Sequence, residues 1–146
     1  MMMKKVIFML LLSVGIGSWA TAQEQDSVEI VKLEVHTFLE QVKDTTGIQL
    51  IDVRTAEEFQ GGHVKHAINI NLNAEDFEEQ VAKLDKSTPV YLYCLGGVRS
   101  AKAAERLKKQ GFEHIFEMKG GMTQWRSNNL PEVKEEMPEE GNKPKN

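Results

Sequence analysis

The sequence predicts an α/β domain with a mostly parallel central sheet flanked by helices on both faces. Three observations carry that prediction. Short apolar runs alternate with amphipathic segments, capping residues and glycines mark the boundaries between them, and the apolar runs have the length of buried strands. Val28 to Leu33 reads as the first strand. Val35, Phe38, Leu39 and Val42 follow at helical spacing, and Gly47 stops that helix. Ile48 to Val53 reads as a buried strand. Thr55 and Glu58 have the spacing of a capping box, so a short helix starts there and ends near Gly61 and Gly62. Ala67 to Ile70 is the next strand. Asn73 is placed to cap a helix that lines up Phe77, Val81 and Leu84 on one face. Pro89 to Tyr93 is the most strand-like run of the chain. Ser100 to Gln110, rich in Ala, Lys and Leu, is a helix that Gly111 ends. Ile115 to Glu117 is the last strand, and Gly120-Gly121 turns into a final helix carrying Trp125, which reads as core or lid packing. Sheets of this kind hold their ligand sites at the carboxyl ends of strands.

With 146 residues, 40% of them hydrophobic and 27% charged, the composition argues against a fully disordered chain, a collagen-like repeat and a polytopic membrane protein. Its two ends differ from its middle. Lys4 and Lys5 precede an apolar stretch from Val6 to Gly17, and Ala20-Thr21-Ala22 closes it, the arrangement of a secretory signal peptide. Residues 1–22 are therefore expected to be cleaved after Ala22. The apolar run is short for a span of roughly 20 residues, so no stable membrane anchor is expected once it is removed. Loss of Lys4 and Lys5 takes Lys plus Arg from 18 to 16 against 22 acidic residues, so the mature chain carries −6 rather than −4. An acidic chain with no basic cluster is a poor partner for nucleic acid or an anionic membrane surface. The expected location is the periplasm or another exported compartment. Residues 23–27 read as a polar lead-in, 28–130 as the one domain, and 131–146 as a disordered acidic tail, since that tail offers only Val133 and Met137 for burial.

There is a single cysteine, Cys94, which excludes an intramolecular disulfide, a CxxC redox pair and a multi-cysteine zinc site. It comes directly after the strand-like Pro89 to Tyr93. Leu95-Gly96-Gly97-Val98 and then Arg99-Ser100 follow, leading into the helix. Glycines let a loop curl its N–H groups inward. A helix start leaves N–H donors unpaired and carries partial positive charge. Arg99 adds a full charge. All three favour an anion in the loop and a thiolate at Cys94 over a thiol, and the thiolate is the nucleophile. The candidate site is thus Cys94 as the reacting group, with Leu95, Gly96, Gly97, Val98, Arg99 and Ser100 around the substrate. Asp52 and Arg54, at the carboxyl end of a neighbouring strand, are candidates to support the loop. His63 and His66 have no further ligands nearby and read as a solvated turn, so no metal site is expected.

At these residues the chain resembles a single-domain rhodanese, a sulfurtransferase, over about Val28 to Leu130. Leu50-Ile51-Asp52-Val53-Arg54 followed by Glu57-Glu58-Phe59 is similar to the family's first landmark. Gly62-His63-Val64 with Ala67-Ile68-Asn69 is similar to its second. Cys94 through Ser100 resembles the active-site loop, and Gly111-Phe112, Gly120-Gly121 and Trp125 the closing pattern. His66 stands where the family often has glycine. The resemblance implies a single rhodanese-like domain in which Cys94 takes a sulfane sulfur from a donor such as thiosulfate or polysulfide. Cys94 then passes it to a thiophilic acceptor, cyanide or a thiol, with no metal or organic cofactor. It names no protein partner. A persulfide carrier or redox sensor without rapid turnover uses the same thiol and stands as the alternative. A cysteine phosphatase or arsenate reductase is disfavoured, because the related phosphatases place five residues between Cys and Arg. Here there are four, Leu95 to Val98, a smaller cradle suited to one sulfur atom.

Overall fold

In a computed structural model the structure describes residues 28–134, so the signal segment 1–22, the lead-in 23–27 and residues 135–146 of the tail lie outside the described residues. Five strands and five helices alternate without exception. They are β1 (Ile30–Leu33), α1 (Val35–Val42), β2 (Gln49–Asp52), α2 (Ala56–Gln60), β3 (Ile68–Asn69), α3 (Phe77–Ala82), β4 (Val90–Tyr93), α4 (Val98–Lys109), β5 (Ile115–Met118) and α5 (Gly121–Ser127). The sheet order is β1-β5-β4-β2-β3 and every pairing is parallel. The α/β class, the parallel sheet and helices on both faces are as the sequence predicts.

Alternation along β4 divides the core. Val90 and Leu92 face a cluster with Phe77 and Val81 of α3 and Ala103, Ala104 and Leu107 of α4. Tyr91 and Tyr93 face the other side, with Phe38 of α1, Phe59 of α2 and Met122 and Trp125 of α5. All four β4 residues are buried, as a strand covered on both faces requires. Trp125 is fully buried, a core residue, and its indole N–H donates to the Pro131 carbonyl at 3.0 Å. Among the described residues no helix is long and apolar enough to cross a membrane.

Several local expectations need correction. The helix after β3 begins at Phe77, not beside Asn73. Asn71 accepts from the Asn73 backbone N–H at 3.0 Å, an Asx turn that diverts the chain, and the helix starts only after Asp76, whose side chain makes no capping bond. Helix α4 starts two residues earlier than expected, because Gly97 takes φ 105 as its N-cap and brings Val98 and Arg99 into the first turn. The domain also extends past Leu130. His63 and Val133 exchange backbone hydrogen bonds at 2.9 Å in an isolated antiparallel bridge, and Arg126 holds Glu132 at 3.0 Å. His63 is buried rather than solvated: its ring stacks on Phe59 and its Nδ1 lies 2.8 Å from the Phe59 carbonyl. His66 carries the turn at φ 68, the left-handed region that a non-glycine residue adopts at some cost.

Candidate active site

Cys94 is the first residue beyond β4, at the carboxyl edge of the sheet, with 1% of its surface exposed. The loop from Cys94 to Gly97 folds back on the sulfur. The Gly97 backbone N–H donates to Cys94 Sγ at 3.0 Å, and Ser100 Oγ lies 3.5 Å from the same atom. The first amide of α4 to bond back is that of Ala101, to the Gly97 carbonyl at 3.1 Å. The amides of Val98, Arg99 and Ser100 precede it and have no carbonyl within the helix to bond. Leu95 and Val98 are exposed and frame the loop with apolar surface.

The far side of the loop is clamped by α5. The Met122 and Thr123 amides donate at 2.9 Å to the carbonyls of Cys94 and Leu95. Gly121, at φ 55, makes the approach possible, because a Cβ there would sit 2.3 Å from the Cys94 carbonyl oxygen and 2.7 Å from that of Leu95. The Gly-Gly pair was legible in the sequence as a turn. Its contact with the reactive loop was not.

Arg99 does not stand free. Its Nη1 and Nη2 donate to the two oxygens of Glu58 on α2 at 2.7 and 2.8 Å, a bidentate pair. The carboxylate that braces it is Glu58. Glu58 also completes the capping box, its Oε2 accepting from the Thr55 N–H at 3.0 Å. The Arg99 guanidinium beside it, opposed by partial burial and helped by Thr55, holds the Glu58 carboxyl down at about 2. The sequence pointed to Glu58 as a cap and as part of the first landmark, not as the partner of Arg99. Two of the five guanidinium N–H donors are spent on Glu58, and the others remain for an oxyanion.

Asp52 and Arg54 do pair, buried to 0% and 1% exposure, with Arg54 Nη2 2.7 Å from Asp52 Oδ2. Burial opposes the charge on Arg54, but the hydrogen bonds and charge of Asp52 outweigh it and raise the guanidinium further. The pair does not reach residues 94–100 by any hydrogen bond among the described residues. Arg54 instead donates to the Gly62 carbonyl at 2.7 Å, so the pair ties the end of β2 to the turn after α2. Glu117 of β5 was read only as strand. It is buried, and its Oε1 accepts from the Ser100 hydroxyl at 2.6 Å. No group of His, Cys, Asp and Glu side chains among the described residues is arranged to hold a metal ion.

Comparison with known proteins agrees with this geometry. A family model described as the rhodanese-like domain matches residues 35–128. The thiosulfate sulfurtransferase GlpE of Shewanella oneidensis is 31% identical over 91 residues, covering 62% of this chain and 88% of that protein. An uncharacterized protein of Bacillus subtilis, YqhL, is 47% identical over 77 residues, 53% of this chain, and the chain spans only 60% of that relative's length. Among solved structures, the polysulfide-sulfur transferase homodimer of Wolinella succinogenes superposes with a TM-score of 0.61 at 29% identity, covering 75% of this chain and 82% of that one.

Proposed function

The chain belongs to the rhodanese-like domain family, and on that premise we propose that it is a sulfurtransferase whose sulfur carrier is Cys94. The thiolate attacks the outer sulfur of thiosulfate, a new S–S bond forms at Cys94, and the bond to the sulfonate sulfur breaks to release sulfite. Cyanide or a thiolate then attacks the outer sulfur of the persulfide and leaves with it as thiocyanate or a new persulfide, returning the Cys94 thiolate. Charge balances in both steps without an external oxidant or metal. A polysulfide donor follows the same course with a shorter polysulfide as the leaving group.

The observation that carries this reading is the Gly97 N–H aimed at Cys94 Sγ at 3.0 Å, in a loop between a parallel strand and a helix start. A donor fixed on the sulfur before reaction stabilises negative charge on the thiolate and then on the persulfide. Arg99 keeps donors for the sulfonate oxygens of thiosulfate, while exposed Leu95 and Val98 suit a less charged polysulfide or a thiol carrier. The Asp52–Arg54 pair acts at one remove, holding the end of β2 beside β4. The proposal includes export, with cleavage after Ala22; N-terminal sequencing of the secreted protein checks it, and a retained Met1 overturns it.

Intact-mass measurement after thiosulfate or polysulfide exposure is the direct test. One added sulfur, removed by cyanide and absent in Cys94→Ser, is the expected result. A steady-state assay with both donors then separates a turning-over enzyme from a persulfide carrier. An adduct that survives Cys94→Ser overturns the assignment of the site.

A further inference from the structure

Glu117 is a buried carboxylate that the sulfur-transfer chemistry does not use. It is 2% exposed, and among the described residues its Oε2 has no hydrogen-bond partner. Its nearest cation is Lys32 of β1, with Nζ 3.9 Å away and the lysine side chain largely in solvent. An unpartnered carboxylate oxygen inside a protein is costly, so its other contacts matter. The other oxygen accepts the Ser100 hydroxyl at 2.6 Å, and the same hydroxyl oxygen lies 3.2 Å from the Gly97 carbonyl and 3.5 Å from Cys94 Sγ.

A serine hydroxyl has one proton to give. The short contact to a charged acceptor claims it, so Ser100 turns only lone pairs toward Cys94. A thiol can donate into those lone pairs, but a thiolate or persulfide anion cannot be stabilised by them. In this state the anionic sulfur keeps one neighbouring donor, the Gly97 N–H. Were the Glu117 charge removed, the Ser100 O–H would be free to swing to Sγ and supply a second.

We propose that Glu117 is a positioning residue that acts through Ser100: by holding the Ser100 proton it restrains the charged form of Cys94, and neutralising it releases a second hydrogen-bond donor to the sulfur. The Glu117 end of this chain of contacts borders a groove of about 560 Å³ between the start of β1 and α4, with Glu29 and Lys32 on one wall and Glu105 and Lys108 on the other. These are the charged groups that face it. On the Cys94 side the charge on the loop's own helix is Arg99, already paired with Glu58, and the Asp52–Arg54 pair lies at the end of β2, the strand beside β4. The inference rests on Cys94 being the reacting group, but its test reads the sulfur directly and does not require sulfur transfer.

The test is the pH profile of Cys94 alkylation by iodoacetamide in the full chain, for wild type, Glu117→Gln, Glu117→Leu, Ser100→Ala and the Ser100→Ala/Glu117→Gln double variant. Glu117→Leu serves as the second probe because leucine cannot accept from Ser100 at all, and it also removes the orphaned oxygen, so loss of folding is not expected. Both single Glu117 variants should move the profile to lower pH by about one unit, a roughly tenfold gain in reactive thiolate on the acid side. In the Ser100→Ala background the same change should fall to less than half, as a coupled pair requires. Superimposed profiles for wild type and both Glu117 variants overturn the proposal. So does an equal displacement with and without Ser100, which would mean the charge acts through space. Failure of sulfur loading with an intact alkylation shift would count against the sulfurtransferase reading and leave this one standing.

Discussion

Two arginine–carboxylate pairs stand at the carboxyl ends of the adjacent strands β2 and β4, and they are built for different purposes. Arg54 and Asp52 are two residues apart and almost wholly buried, and every hydrogen bond of the guanidinium goes to the frame: the Asp52 carboxylate and the carbonyl of Gly62. Arg99 and Glu58 are 41 residues apart and remain 25% and 29% exposed, joining α4 to α2 across the mouth of the Cys94 loop. Burial makes the first pair rigid and expensive to break, because removing one partner strands the other charge in the interior. Partial exposure leaves the second weaker in stability terms and open to substrate. The same residue types thus supply a brace in one place and an adjustable cation in the other.

The sharpest way to break the contrast is Arg54→Ala. It leaves Asp52 charged and unpaired and should destabilise the domain by about 3–5 kcal/mol, read as a lower denaturant midpoint. A loss below about 1 kcal/mol would erase the distinction between the pairs. Next comes Gly121→Ala, which touches the loop from behind. The new Cβ meets the Cys94 and Leu95 carbonyls at 2.3 and 2.7 Å, so the loop must shift. Transfer rate should fall about tenfold or more, as small displacements of a reacting group do, and the amide signals of residues 94–98 should move in NMR spectra.

Arg99→Ala should lower the rate of persulfide formation from thiosulfate roughly 10²-fold, the usual effect of losing one charged donor to a developing anion. Its melting temperature should stay close to wild type. Arg99→Lys should rescue only in part, since the planar fork is lost. A variant that melts far below wild type yet loads sulfur normally would make Arg99 a second brace. The smallest effect is on acid stability. The Glu58 carboxyl sits at about 2 in the folded chain against 4.5 when unpaired, so the folded state binds its proton less readily. The stabilisation is therefore complete above 4.5 and is lost as pH falls through about 2. Urea titrations of wild type and Glu58→Gln should differ by a constant, modest amount above 4.5 and converge below it. A gap that persists to pH 2 would show that the stabilisation does not come from the Glu58 charge.

The strand–helix alternation, the glycine-bearing loop after β4 and the lone cysteine were all legible along the chain, because each rests on local chemistry: hydrophobic period, left-handed glycine turns and the donors of a helix start. The cap at Gly97 was legible as a loop glycine but not as the helix boundary. Whether the turn tightens enough to recruit Val98 and Arg99 depends on its φ of 105, which the residue types alone do not specify. The Asx turn at Asn71 takes the Asn73 backbone N–H, so the cap expected at Asn73 does not form and α3 starts later.

By itself the sequence determined the class of fold and the place of Cys94 at a strand end, since periodicity and loop composition act over a few residues, and its motifs carried the resemblance to the rhodanese-like family. The tertiary structure alone decided which charges meet. Glu58 reaches Arg99, Glu117 reaches Ser100 and α5 reaches the Cys94 carbonyl because parallel strands bring distant segments to one edge of the sheet. No spacing in the chain encodes the distances at which their side chains end.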